Sequence, residues 1–131
     1  MSAHTLRRIL CVEDEADVRE IIDISLQAIG GFKVRICSSG EEALACAAAF
    51  SPDLILLDVM MPKMDGPATL AELRKIESLA ATPVIFITAK AQAAEVKRYR
   101  SLGAVDVIAK PFKALELPDR LREIWRGVAR Q

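Results

Sequence analysis

Five short apolar runs punctuate the chain: Ile9–Val12, Val34–Cys37, Leu54–Leu57, Val84–Ile87 and Val105–Ala109. Each has the length of a strand, and most are β-branched or leucine-rich at successive positions. Side chains alternate between faces along a strand, so such runs predict parallel strands buried on both sides. Longer segments with helical spacing lie between them. Val18, Ile21, Ile22 and Ile29 form one stripe; Ala43, Leu44, Ala47 and Phe50 form a second; Leu70, Leu73 and Ile76 form a third. Trp125 falls at helical spacing with Leu121 and Val128, which predicts packing for the indole.

The punctuation agrees with this reading. Gly30-Gly31 ends the first helix. Ser39-Gly40-Glu41-Glu42 opens the second with a cap and early negative charge. Pro52 and Pro83 precede strands, and Gly66-Pro67 opens the third helix. Pro118 does the same for a last helix from Pro118 to Val128. Five strands alternating with five helices predict a doubly wound α/β sheet with right-handed crossovers. The 131 residues fit a single domain over residues 1–131, without linker or repeat.

In such sheets, sites form beyond the carboxyl ends of the strands. The first strand ends in Glu13-Asp14-Glu15, the third in Asp58, the fourth in Thr88-Ala89 and the fifth in Lys110-Pro111. With the first, third, and fourth or fifth strands central, these groups converge on one pocket. Two carboxylates about 5 Å apart repel by roughly 3 kcal/mol at an effective dielectric of about 20. A divalent cation turns that repulsion into attraction, and an all-oxygen site favours Mg²⁺, Mn²⁺ or Ca²⁺ over zinc. Asp58, ending a central strand, is then placed to attack phosphorus, with Lys110 and Thr88 holding phosphoryl oxygens.

These residues resemble the receiver domains of two-component response regulators. The matching segments are Ile9-Leu10-Cys11-Val12-Glu13-Asp14-Glu15, Leu54 through Gly66 with Asp58 and Met60-Met61-Pro62 inside it, Pro83 through Ala89, and Lys110-Pro111-Phe112. All four occur in order, over about residues 7–128. The resemblance implies a flavodoxin-like fold with strand order 2-1-3-4-5. It implies Asp58 as phospho-acceptor, and Glu13 and Asp14 as the acidic pair for Mg²⁺, with Asp58 and the Met60 backbone carbonyl as further ligands. It implies Thr88 as the hydroxyl that follows the phosphoryl group, and Lys110 as the site lysine before a cis peptide to Pro111. The donor it implies is a phosphohistidine on a sensor histidine kinase or histidine phosphotransfer protein, or a small acyl phosphate.

One position departs from the family. Three residues before the site lysine the family usually carries an aromatic ring, and here Val107 stands there. Valine has no ring to swing, so the output is expected to travel through Thr88, the loop after it and the helix that follows. Met60 and Lys90 flank the pocket, and neither is a general base for water at neutral pH, which predicts a long-lived phosphoryl group.

Plainer readings exist for several residues. Asp14 and Glu15 also fit a role as caps of the first helix, with Asp17 in its first turn. His4 is the one histidine and lies outside every motif. Cys11, Cys37 and Cys46 make no CxxC pair and no metal-ligand spacing, and are expected as buried, reduced thiols.

Charge narrows the function further. The formal net charge is zero, which argues against non-specific nucleic-acid binding. Residues 1–65 nevertheless hold six basic and eleven acidic side chains, and residues 97–131 nine basic and four acidic. An acidic site early and a basic surface late are therefore expected, with Lys97, Arg98, Arg100, Arg120, Arg122 and Arg126 as a candidate partner or dimer face. No apolar run reaches the roughly 18 residues of a membrane span, and Met1 to Arg8 lacks a secretory signal's apolar stretch, so a soluble, cytoplasmic protein is expected. No output domain and no direct DNA binding are expected, so the expected readout is a surface: an unidentified downstream protein, or a homodimer formed on phosphorylation.

Two other functions are weaker. An aspartyl-nucleophile phosphohydrolase commonly carries a second aspartate two residues after the first, where this chain has Met60. A flavin-binding protein of this fold needs a phosphate loop after the first strand, where Glu13-Asp14-Glu15 repels phosphate. The expectation is a signalling switch with aspartyl phosphotransfer and self-dephosphorylation rather than a turnover enzyme.

Overall fold

The computed structural model describes residues 5–129, so His4 lies outside the described residues. Five strands alternate with helices: β1 (Arg8–Val12), α1 (Ala16–Asp23), β2 (Lys33–Cys37), α2 (Gly40–Phe50), β3 (Leu54–Asp58), α3 (Gly66–Leu73), β4 (Val84–Thr88), α4 (Ala93–Ser101), β5 (Asp106–Ala109) and α5 (Leu117–Ala129). The strands are all parallel, in the order β2-β1-β3-β4-β5. Every residue of β3 and β4 is buried, whereas β2, on the sheet edge, alternates partly exposed positions. The apolar runs thus do what their composition predicts, most fully where neighbouring strands cover both edges.

Each sheet face carries its own core. Leu10, Val12, Ile55, Leu57, Val84 and Phe86 pack toward α2, α3 and α4 with Ala43, Ala47, Leu70, Leu73 and Tyr99. Ile9, Cys11, Leu54, Leu56, Ile85 and Ile87 pack toward α1 and α5 with Ile22, Leu26, Leu117, Leu121 and Ile124. Trp125 and Val128 lean on this second core, as their spacing predicts.

The first stripe needs correction. Ile22 is buried, but Ile21 and Ile29 are 44% and 45% exposed. After Asp23 the helix widens into a π-helical stretch, Ile24–Ile29, in which the Gly30 amide reaches back to the Ser25 carbonyl. The wider turn rotates the following residues, so Ser25 and Leu26 face inward and Ile29 turns out. Gly30 takes the buried place, and a methyl there would meet the Pro118 ring at 3.0 Å.

The cysteines also differ from expectation in one respect. All three are free, and Cys11 and Cys37 are buried, but Cys46 on α2 is only partly buried. The late basic residues do not form one patch of free charge. Arg100 and Arg120 both bond Asp106, at 3.1 and 3.3 Å, while Arg122 turns to the Phe32 ring, 4.4 Å from its centroid. Among the described residues no helix is long and apolar enough to cross a membrane.

Candidate functional site

The carboxyl ends of β1, β3, β4 and β5 meet at one acidic pocket. Glu13 follows β1, Asp58 ends β3, Thr88 ends β4 and Lys110 follows β5. Glu13, Asp58 and Thr88 are 0%, 2% and 1% exposed. Such burial is rare for carboxylates without a partner, and the partner is Lys110. Its ammonium donates to Glu13 Oε1 at 2.7 Å and to Asp58 Oδ1 at 3.2 Å. One ligand oxygen from each of Glu13, Asp14 and Asp58 can be drawn from a group lying within 4.8 Å of one another.

Local backbone geometry holds these groups. The Glu13 amide donates to the Cys37 carbonyl at 3.0 Å, tying the end of β1 to β2. Glu13 Oε2 accepts from the Glu15 amide at 3.1 Å, and Arg19 Nη1 donates to the Glu13 and Asp14 carbonyls at 3.0 and 2.8 Å. Arg19 is a contributor that sequence reading passed over; its place one turn into α1 is the signal. The Gly66 amide donates to the Val59 carbonyl. A Cβ at Gly66 would lie 2.6 Å from the Asp58 carbonyl oxygen, so glycine alone lets α3 begin so close to the acid. The Lys110-Pro111 peptide is cis, as expected.

The plainer capping role for Asp14 and Glu15 is not what the structure holds. Glu15 occupies the N-cap of α1 without any side-chain cap bond. Asp14 Oδ1 is buried with no hydrogen-bond partner. An unsatisfied buried carboxylate oxygen carries a desolvation cost of about 1–3 kcal/mol or more, which a cation in the acidic group would remove. That orphaned oxygen, beside two further carboxylates and with no nitrogen or sulfur donor in the group, fits a hard divalent cation.

The electrostatics of the pocket follow from its burial. Burial first, and then the charge of Glu13, push the Asp58 carboxyl up to about 7 against the pull of Lys110. Burial opposes the charge on Lys110, yet its hydrogen bond to Glu13 and the charges of Asp58 and Glu13 outweigh it, and the lysine is raised from its ordinary value. Lys110 therefore stays an ammonium, and Asp58 is the group whose charge is poised.

Thr88 presents its hydroxyl at the same rim, where Oγ1 accepts from the Lys90 amide at 3.0 Å. Met60 follows two residues after Asp58; its amide donates to Asp58 Oδ1 at 3.4 Å, and its side chain is exposed. Val107 pairs with Phe86 in the β4–β5 register. An aromatic ring does reach Phe86, but from another element: Tyr99 of α4 stands edge-on to it, with centroids 5.3 Å apart. Sequence reading did not single out Tyr99, although its spacing of three from Val96 within a charged helix marks an inward face.

Comparison with known proteins agrees with this geometry. A model of the response regulator receiver domain family matches residues 9–122. The chain is 40% identical over 122 residues to a protein of Guillardia theta named probable transcriptional regulator ycf27, covering 93% of this chain and 46% of that one. It is 41% identical over 115 residues to the transcriptional regulatory protein DltR of Streptococcus agalactiae, covering 88% and 50%. The chain thus spans about half the length of these relatives. Among solved structures, the chemotaxis protein CheY4 of Vibrio cholerae superposes with a TM-score of 0.84 at 28% identity, over 92% of this chain and 99% of that one.

Proposed function

The chain belongs to the response regulator receiver domain family, and from that premise we propose that Asp58 is its phospho-acceptor, served by Mg²⁺, Lys110 and Thr88. Receiver domains are the phosphorylation-dependent switches of two-component signalling, and their donors are histidine kinases. The observation that carries the assignment to Asp58 is its position: a buried carboxylate at the end of a central strand, bonded to Lys110 and grouped with Glu13 and Asp14.

In this reading Asp58 attacks the phosphorus of a phosphohistidine or acyl phosphate in line with the leaving group, and the bond to the donor breaks. Asp58 Oδ1 is engaged by Lys110 and the Met60 amide, which leaves Oδ2 as the attacking atom. Glu13, Asp14, Asp58 and the Met60 carbonyl would hold the cation, with Mn²⁺ or Ca²⁺ as substitutes. Bound there, Mg²⁺ supplies positive charge that favours ionised Asp58 and offsets the charge of phosphoryl oxygens. Lys110 bonds a phosphoryl oxygen as charge develops. Thr88 releases the Lys90 amide and donates its hydroxyl to another. No side chain at Met60 or Lys90 activates water, so the phosphoryl group is long-lived.

The donor protein approaches over an apolar surface lined by Val18, Ile21, Ala89, Pro111 and Phe112, which borders Lys110. This gives the exposed Ile21 a use, since contiguous exposed apolar groups mark contact sites. Downstream, the changed loop after Thr88 and α4 form the surface that a partner protein or a second copy reads. The chemistry is that of a switch rather than a turnover enzyme.

Intact-protein mass after incubation with acetyl phosphate tests this. Gain of one phosphoryl group that requires both Mg²⁺ and Asp58, and is lost in Asp58→Asn, is the expected result. Phosphorylation that persists in Asp58→Asn refutes the assignment.

A further inference from the structure

On the opposite side of β1 from the acidic pocket's lysine, two sulfurs meet. Cys37 ends β2 and Cys46 lies in the second turn of α2, and their Sγ atoms are 3.3 Å apart. That is inside van der Waals contact, whereas a disulfide is about 2.05 Å long. The two thiols differ in access. Cys37 is fully buried in the core under α2, while Cys46 is partly exposed. Small residues, Ala43 and Ala47, line the core beside the pair.

We propose that Cys37 and Cys46 form a reversible thiol–disulfide site, oxidised by a low-molecular-weight disulfide such as glutathione disulfide, that staples the end of β2 to α2. The Cys46 thiolate attacks one sulfur of glutathione disulfide; that S–S bond breaks and one glutathione thiolate leaves with the electron pair. Cys37 then attacks Cys46 Sγ, and the second glutathione thiolate leaves. The protein loses two electrons, the small disulfide gains them, and the two thiol protons end on two glutathione molecules. Cys46 is the more exposed of the two, so it meets the small disulfide first and the buried Cys37 resolves it. Cys11 takes no part, because it packs with α1 and α5 on the other face of the sheet.

The test of this site needs no phosphoryl donor. The whole chain is equilibrated in reduced and oxidised glutathione at graded ratios, quenched in acid, alkylated with N-ethylmaleimide in denaturant and mapped by mass. The expected result is loss of two alkylation sites, a peptide bridging Cys37 and Cys46, and Cys11 alkylated throughout. The folded chain should form the bridge with at least tenfold higher effective molarity than the chain in urea. Cys37→Ser should accumulate one glutathione on Cys46, with a thermal melt confirming that the variant folds. A bridge to Cys11, a bridge no more favoured in the folded chain than in urea, or three alkylated cysteines at every ratio overturns the proposal.

Discussion

The Lys110 ammonium sits closer to Glu13, at 2.7 Å, than to Asp58, at 3.2 Å. One cation thus serves two buried carboxylates and lies nearer the one that is not the proposed nucleophile. Asp58 is held at the longer distance, which suits its proposed role as the phospho-acceptor.

Removing that cation leaves the acids facing one another. Lys110→Ala should destabilise the metal-free protein by roughly 1–3 kcal/mol, less than the 3–5 of a broken buried pair, because Asp58 can take up a proton. Urea unfolding measures the cost. Phosphorylation by acetyl phosphate should fall at least tenfold in the same variant, and an undiminished rate would remove Lys110 from the mechanism.

The raised Asp58 sets a pH dependence. Its folded value of about 7 lies above the ordinary aspartate value, so between about pH 4 and pH 7 the folded state binds a proton that the unfolded state has lost. Stability of the metal-free protein therefore falls as pH rises through that window, by roughly 2–4 kcal/mol from this group. Asp58→Asn should flatten the fall and leave the variant more stable than the parent at pH 8. Thermal melts across pH, in chelator, decide the matter; parallel profiles for the two proteins would contradict it.

Asp14 separates metal binding from folding. Its Oδ1 has no hydrogen-bond partner, so Asp14→Ala removes an unpaired buried oxygen and should not lower the melting temperature in chelator. Saturating Mg²⁺, at about 100 times its dissociation constant, should stabilise the parent by about 2.7 kcal/mol. That gain should be largely absent in the variant. Equal Mg²⁺ responses in the two proteins would place the cation elsewhere.

Tyr99 is expected to carry the output in place of a ring at position 107. Its edge-on contact with Phe86 links α4 to β4, two residues before Thr88. On phosphorylation, amide hydrogen exchange should change in residues 89–97, and Tyr99→Leu should shrink that change by at least half while Tyr99→Phe retains it. A loop that exchanges identically in the free and phosphorylated forms would end this account. Tyr99→Ala should also cost about 3 kcal/mol of stability from the emptied core.

Much of this molecule was legible in its sequence, because hydrophobic periodicity is a local property of the chain. Runs such as Leu54–Leu57 and Val84–Ile87 have room for one reading, a strand covered on both faces, and the order of strands and helices follows from their alternation. The meeting of the candidate residues followed too: in a parallel sheet every strand points the same way, so Glu13, Asp58, Thr88 and Lys110, each at a carboxyl end, share one edge. The order of the strands came from resemblance, not from the pattern. Packing in three dimensions decided the rest. Periodicity assumes a regular helix, so the π-helical stretch that exposes Ile29 and buries Gly30 is invisible to it. The closer hold of Lys110 on Glu13, the ring that Tyr99 lends to Phe86, and the meeting of Cys37 with Cys46 each depend on how a helix or side chain settles against a neighbour distant along the chain. Those choices are made by close packing and charge pairing among all elements at once, which no segment of sequence encodes alone.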